Sequence, residues 1–446
     1  MTFPGMWHHI IILVFLLPSS LVSTAQKSYS LDECMELALE RNNRLKVAET
    51  DSKVADIQLK QSKEAFIPSL NISNQHNISI GRVLDPTTYS FIENRTVYDM
   101  NATLIGSMTL FSGLDRYHNV GKARLNTISS QLSVEETELE LMIDVMSRYF
   151  QILLDKEAVS ICKGKISLLS KQEEQISKRI EYKAAVPADL LNVQADITSA
   201  KVELVNATGN LQADIVSLCA LLEIADWQSF DTSITDIDIS MNTIPDMITS
   251  DDLDGIVSNL PSVRLSQVKS DIAESDVKIA SASYWPTLRI NAGFGTTFSN
   301  ARSKTGGINY SLKEQFNDNM NSYISMIISI PLLNAITTSK TVKEKELNYS
   351  RARYEEEENR ISWEKEIAQA VVLTHSAYRK HWLLADDVSK FEEALGIIEE
   401  KYSLGAVTYY DYQTAINNLY QAKAKKSQAA LEYLLRTKIV DLYKKR

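Results

Sequence analysis

The stretch SASYWPTLRINAGFG, residues 281–295, changes character at its proline. Before Pro286 it has the composition of a helix end, whereas after it apolar residues alternate with polar or small ones. Because successive side chains of a strand point to opposite faces, this alternation predicts a strand with one apolar face. The stretch KEAFIPSLNIS, residues 63–73, has the same order of features around Pro68. The chain therefore makes the same helix-to-strand switch twice.

The two switches lie in two copies of a longer unit. Residues 42–70 align without a gap with residues 260–288, and residues 179–201 align with residues 401–423 at a slightly larger shift. The shift changes between the alternating segments, where a loop is expected. We therefore predict two internal structural repeats, 26–222 and 251–446, joined by an inter-repeat linker at 223–250.

The first 25 residues have the pattern of a signal peptide. The apolar core IIILVFLL at residues 10–17 is followed by small residues at Ser23 and Ala25, which predicts cleavage after Ala25. This core is shorter than the roughly 20 residues that a membrane-spanning helix needs. We therefore expect export across the inner membrane.

Four alternating segments, at about 69–80, 98–111, 287–299 and 321–333, are predicted strands. Each is long enough for the roughly 9–11 residues that a tilted transmembrane strand needs. The alternation predicts polar residues on one face and a lipid-facing apolar side that includes Leu104, Met108, Ile290, Ile324 and Ile328. Aromatic residues at the strand ends nearest the helices are expected to form an interfacial girdle: Phe66, Phe111, Tyr284 and Trp285. A soluble β-sandwich has the same alternation, but the helices that could cover its apolar face are already expected to pair with each other.

Long helices follow each pair of strands. Proline is absent from Gly113 to Val186 and from Leu332 to Arg446. A helix of 70 residues would be about 105 Å long, and turns near Pro187 and Gly405 would fold each stretch into an antiparallel hairpin. In the second copy, apolar residues at coiled-coil spacing predict the buried stripe, which comprises Ile361, Ala368, Val371, His375, Tyr378, Trp382, Ala385, Val388, Phe391, Leu395, Ile398 and Tyr402.

Composition and motifs exclude several function classes. The net charge is −10 with both signs interspersed, which argues against a nucleic-acid partner. The three cysteines, Cys34, Cys162 and Cys219, are an odd number and are interpreted as small hydrophobic residues rather than a disulfide framework. The sequence has no HExxH, glycine-rich phosphate loop or Gly-x-Ser-x-Gly motif. We therefore expect no catalytic residues, cofactor or metal.

Four strands cannot close a barrel, and open sheet edges are not tolerated in lipid. The barrel must therefore be shared among chains. Two chains would supply eight strands, and three would supply twelve. An eight-stranded barrel is filled by its own side chains, whereas twelve strands could leave a passage.

The duplicated unit of medium helix, proline switch, strand pair and long helical hairpin resembles the TolC family of outer-membrane efflux proteins. The resemblance covers essentially the whole mature chain, and its most recognisable stretch is KYSLGAVTYYD, with Tyr402, Gly405 and Asp411 in the family's spacing. The first copy has RIEYKAAVPAD, which ends in Asp189 and has Lys183 at the position of the tip glycine. The resemblance implies a mainly α protein with membrane β structure. Its homotrimer would form a barrel of twelve transmembrane strands and a long α-helical hairpin tunnel through the periplasm.

The resemblance also implies the functional residues. Asp189, Asp411 and Tyr402 would form a tunnel constriction, in which Tyr402 contacts the first-copy aspartate. The family's second-tip arginine corresponds to Val407 here, so part of the usual lock is missing. Both aspartates are also placed to cap the return helices. The adaptor-docking hairpin tips would comprise Lys183, Ala184, Ala185, Val186, Gly405, Ala406 and Val407.

Two functions from different classes follow from these features. The first is a trimeric exit duct in the outer membrane of a Gram-negative bacterium, serving a tripartite efflux or type I secretion system. Its partners would be a periplasmic adaptor (membrane fusion) protein, an inner-membrane pump of the RND, ABC or MFS type, and outer-membrane lipid. The alternative is a periplasmic adaptor or structural coiled-coil protein. An adaptor, however, would have one hairpin beside a β-rich domain, not two hairpins each preceded by strands.

Overall fold

The computed structural model describes residues 27–84, 89–183, 186–233, 249–302, 310–333 and 335–445. The predicted signal peptide therefore lies outside the described residues. The elements of the first half are β1 (Lys27–Tyr29), α1 (Leu31–Arg41), α2 (Asn43–Glu64), β2 (Ser69–Leu84), β3 (Phe91–Ser112), α3 (Asp115–Glu181), α4 (Pro187–Leu221) and β4 (Phe230–Thr232). Those of the second half are α5 (Ser250–Asn259), α6 (Pro261–Ala282), β5 (Thr287–Ser299), α7 (Leu312–Asp318), β6 (Asn321–Ser329), α8 (Ala335–Ser403) and α9 (Tyr409–Lys445).

Both helix-to-strand switches are present at the predicted prolines. Helix α2 ends at Glu64 and β2 begins at Ser69, directly after Pro68; α6 ends at Ala282 and β5 begins directly after Pro286. Proline has no amide hydrogen to continue a helix, and it also forces the preceding residue toward extended backbone. Each switch is therefore a local consequence of the sequence.

Four strands form one antiparallel sheet in the order β2-β3-β5-β6. Leu104 pairs with Ile72 on one side and with Phe294 on the other, so the three side chains share one face. On that face Ile72 is 83% exposed and Ile324 is 78% exposed. The opposite face has polar residues such as Ser73, which pairs with Thr103. The register thus confirms the predicted alternation and leaves a wide apolar face uncovered within the chain.

The structure corrects the predicted strand ends. Strand β2 continues to Leu84, and β3 begins at Phe91, although neither extension alternates clearly in sequence. Strand β6 ends at Ser329, so the predicted continuation through Ile330 to residue 333 is wrong. The length of a strand is set by the partner that supplies its hydrogen bonds, and β6 pairs with β5 only between Asn321 and Ser329.

Two long hairpins extend from the sheet. Helix α3 has 67 residues and α8 has 69, so each is about 100 Å long. Helix α3 packs on α4, α8 packs on α9, and α6 lies against both long helices. Among the described residues, no helix combines the length and apolarity required to cross a bilayer.

The cores lie between the helices in separate clusters. One surrounds Tyr149, whose hydroxyl donates to the carbonyls of Tyr29 and Ser233; Cys34 and Cys219 are buried in it, as predicted. Cys162, by contrast, is only half-buried. A second cluster lies toward the hairpin ends.

The predicted stripe of α8 is only partly correct. Val371, Val388 and Leu395 are buried, but Ile361 and Trp382 are 54% and 48% exposed. Ile367, Thr374 and Ala377 are buried instead, although they lie outside the predicted stripe. Helix α8 packs on α6 along one part and on α9 along another, so its buried face changes along its length.

Candidate functional site

The hairpin end of the second half is a compact turn. The amide of Gly405 donates to the Tyr402 carbonyl, and that of Ala406 donates to the Lys401 carbonyl. This pair of bonds is the Schellman pattern, which places the residue after the helix cap in left-handed backbone. Gly405 has a φ of 76°, so glycine suits the position because it lacks a Cβ.

The first hairpin end uses the same backbone with a different residue. Lys183 has a φ of 58° although it has a side chain, and its amide donates to the Ile180 carbonyl. The substitution of lysine for the tip glycine therefore keeps the left-handed turn, at a cost in local strain. Helix α4 then begins with Pro187, whose missing amide hydrogen is not needed at that position. Two of the predicted docking residues, Ala184 and Ala185, lie outside the described residues, while Val186 is 62% exposed.

The two predicted aspartates have different surroundings. The Asp411 carboxylate accepts from the Thr408 amide at 3.0 Å and from the Thr408 hydroxyl at 2.6 Å, and the Asp411 amide donates back to that hydroxyl. These bonds hold the pKa of Asp411 below its usual range. Thr408 is thus the N-cap of α9, and Asp411, three residues later, completes a capping box rather than being the N-cap itself, as one of the sequence interpretations had it. Asp189 lies in the first turn of α4, half-buried.

Tyr402 is the centre of an aromatic cluster. Its ring stacks on that of Tyr412, with centroids 5.2 Å apart and planes inclined by 11°, and meets that of Tyr409 edge-on. The Tyr409 hydroxyl donates to the Asp196 carboxylate at 2.5 Å. Burial raises the pKa of Tyr409 above its ordinary value, and the bond to Asp196 raises it further. The cluster therefore ties the start of α9 to α4.

A basic side chain also belongs to this cluster. The Arg179 guanidinium donates to the Tyr402 carbonyl at 3.2 Å, and its central carbon lies 5.4 Å from the centre of the Tyr402 ring. Burial raises the pKa of Tyr402, Asp189 raises it further, and Arg179 lowers it. Asp189 and Arg179 thus both lie within electrostatic range of Tyr402. A cavity of about 330 Å³ adjoins Arg179 and Tyr402, with Gln172, Glu399 and Tyr412 also in its lining.

The sequence interpretation missed Arg179, Tyr409, Tyr412 and Asp196. A signal for Arg179 was present, since it opens the stretch RIEYKAAVPAD and aligns with the basic Lys401 of the second copy. The second tip has Val407 where a basic residue was expected. The basic side chain that contacts Tyr402 is Arg179 of α3 instead. Within the described residues, no group of three or more histidine, cysteine or acidic side chains could hold a metal ion.

Known proteins resemble this chain over both of its halves. The model of the outer membrane efflux protein family matches residues 34–222 and 254–444. Outer membrane protein TolC of Salmonella enteritidis is 20% identical over 428 residues, which cover 93% of this chain and 81% of that protein.

Two solved structures share the fold of this chain. The Campylobacter jejuni CmeC outer membrane channel has a TM-score of 0.80 at 17% identity, over 93% of this chain and 85% of that chain. The outer membrane protein VceC of Vibrio cholerae has a TM-score of 0.77 at 17% identity, over 92% of this chain and 95% of that chain. The similarity covers the sheet and both hairpins together.

Proposed function

This chain belongs to the outer membrane efflux protein family, and we propose that three copies of it form the exit duct of a tripartite efflux or secretion system. It is an efflux channel of the outer membrane of a Gram-negative bacterium.

The uncovered apolar face of the sheet carries the proposal. Ile72, Ile324 and Ile328 are 83%, 78% and 64% exposed on one face of a sheet that has two edge strands, β2 and β6. A bilayer would cover that face, but it would not tolerate the open edges. Joining β6 of one chain to β2 of the next satisfies both requirements. Three chains then supply twelve strands, enough to enclose a passage.

The hairpins would continue this passage into the periplasm. With six hairpins in a trimer, helices about 100 Å long would surround one axis and place the turns at Lys183 and Gly405 at the far mouth. Asp189 and Asp411 would then form acidic rings. Carboxylates that share a narrow mouth attract cations and raise their local concentration.

We propose that the Arg179–Tyr402 contact holds the mouth closed. It joins the end of α3 to the end of α8, so the two hairpins of a chain cannot separate at the tip without breaking it. Asp189 lies close enough to act on the same tyrosine. Arg179 of the first hairpin would thus provide the basic contact that Val407 cannot make.

The turns themselves are proposed to dock a periplasmic adaptor, through which an inner-membrane pump delivers its substrate. Gly405 and Ala406 are small and exposed, and Val186 presents an apolar surface beside Lys183. Small residues allow the end of another helical hairpin to approach closely. Ala406→Trp should therefore abolish efflux while heat-modifiable trimers remain in the outer-membrane fraction; full efflux in that variant contradicts tip docking.

Planar-bilayer conductance tests the channel and its acidic mouth. The purified trimer should conduct with a preference for cations, and trivalent cations added on the periplasmic side should block it. Asp189→Ala combined with Asp411→Ala should weaken the preference and remove the block. Asp386→Ala is the matched control, because Asp386 lies far from the turn in α8 and pairs with Lys390 at 2.5 Å. Unchanged block in the double variant would leave the aspartates a capping role only.

A further inference from the structure

An apolar cleft of about 380 Å³ opens where α3 leaves the sheet and α6 enters it. Its lining includes Phe111, Leu114, His118, Val277, Ser281 and Trp285. A cavity of this size is within the range of small-molecule sites in proteins. The cleft is distant from the hairpin ends, so the constriction does not account for it.

Beside the cleft, the backbone at Gly113 lies very close to the end of α6. Gly113 has a φ of 66°, and a Cβ there would lie 2.4 Å from the Ala282 carbonyl oxygen and 2.8 Å from the Trp285 Cβ. Glycine is therefore required, because it lets the start of α3 press against the end of α6 and form the floor of the cleft.

Leucine is energetically unfavourable at position 114. It has a φ of 68°, it stands at the N-cap of α3 without a capping bond, and it is 58% exposed. Asparagine would suit both the left-handed backbone and the cap better. Leucine at such a position stabilises the protein only if something apolar covers its side chain, and such strain often marks a functional site.

The cleft is continuous with the apolar face of the sheet. Phe111, which lines the cleft, pairs with Leu288, and Leu288 pairs with Ile328 on the same face. Tyr117 and Trp285 beside it are 69% and 60% exposed. Exposed aromatic residues of this kind are typical of the interface between membrane and water.

The rim away from the sheet has two side chains that can bind an anion, Lys278 and His118. Lys278 precedes Ala282 by four residues in α6, and His118 follows Leu114 by four residues in α3, so each lies about 6 Å farther from the sheet. Lys278 pairs with Glu274 at 2.7 Å, and both side chains are about half exposed. Exposed pairs of this kind are weak, so a phosphate could replace the carboxylate at little cost.

We propose that the cleft binds one phospholipid of the periplasmic leaflet of the outer membrane. An acyl chain would cover Leu114 and fill the cleft between Phe111 and Trp285, while the phosphate would meet Lys278 and His118. This inference rests on the proposed position of the sheet in the outer membrane. It explains why leucine occupies a strained and exposed cap.

Native mass spectrometry of delipidated trimers titrated with phosphatidylglycerol tests the proposal. Wild-type trimers should retain up to three tightly bound lipids, one per chain. Leu114→Asn should bind the lipid about tenfold more weakly, because an apolar contact is lost. The same variant should melt at an equal or higher temperature in detergent, because asparagine relieves the backbone and caps the helix. A merely structural role for Leu114 predicts a lower melting temperature instead.

Two further substitutions test the cleft and the rim separately. Ser281→Phe should fill the cleft and abolish the tight binding of phosphatidylglycerol. Lys278→Gln should weaken binding of phosphatidylglycerol, whereas Lys269→Gln, an exposed lysine of the same helix farther from the sheet, should not.

The proposal would be overturned if Leu114→Asn and Ser281→Phe retained as much phosphatidylglycerol as wild type. Retention of a fatty acid probe but not of phosphatidylglycerol by the wild type would overturn it as well. These failures are distinguishable from failure of the proposed function, because the latter would show as absence of wild-type trimers from the outer-membrane fraction.

Discussion

Leu104 is the residue at which the membrane position of the sheet can be tested most directly. It lies on the apolar face between Ile72 and Phe294, seven residues from Phe111 and six from Tyr98 along β3. These two aromatic residues lie toward opposite ends of that face, so Leu104 lies near the bilayer midplane. Arginine on the lipid face of a barrel costs about 2–4 kcal/mol at the midplane. Leu104→Arg should therefore reduce the folding equilibrium roughly 30- to 700-fold per chain.

Thr103→Arg is the matched control. Thr103 is the preceding residue on the opposite face, where it pairs with Ser73 and Gly295, so its replacement should point into the aqueous passage. The assay is the urea dependence of refolding into phospholipid vesicles, read as the fraction of heat-modifiable trimer. Equal refolding of the two variants would refute the assignment of the faces. Ile328→Arg, an obvious alternative, should have a smaller effect, because Ile328 lies one residue from the end of β6, where the cost falls to about 0–1 kcal/mol.

Three further predictions concern the helices. Lys183→Gly should raise the melting temperature of the trimer, since relief of the left-handed backbone at φ 58° contributes up to about 1 kcal/mol; an unchanged or lower value would contradict the strain argument. Burial raises the pKa of Asp155 from 3.8 to about 6, so ionisation destabilises the folded state as the pH rises from about 4 to 6, and the loss persists above that. Asp155→Asn should therefore be more stable than wild type at pH 7.5 and show no such gain at pH 4. Urea titrations at the two pH values measure the difference in free energy of unfolding. A difference that is the same at both pH values would show that ionisation of Asp155 is not its cause. Tyr409→Phe should lower the free energy of unfolding by about 1–3 kcal/mol, because the half-buried Asp196 carboxylate loses its donor; a denaturation midpoint equal to that of wild type would show that water replaces the hydroxyl.

Features encoded over a few consecutive residues were predictable from the sequence. A proline cannot continue a helix that precedes it, so α2 and α6 end before Pro68 and Pro286, and a strand with one apolar face alternates whatever its partners are. The proline-free stretches likewise predicted the long hairpins and their turns near Pro187 and Gly405. The cap of α9 is also local, since Thr408 and Asp411 are only three residues apart, but the sequence interpretation named Asp411 and missed Thr408 as the N-cap.

Features that depend on segments far apart in the chain required the tertiary structure. Strand β6 ends at Ser329 because its pairing with β5 ends there, and α8 changes its buried face because its packing partner changes along its length.

Arg179 contacts Tyr402 across 223 residues, and the end of α6 determines why glycine stands at position 113. Amino-acid type and local spacing determine which helices and strands form. Which side chains then meet, and which residues are held in strained backbone, depends on how those elements pack, and packing is a property of the whole chain.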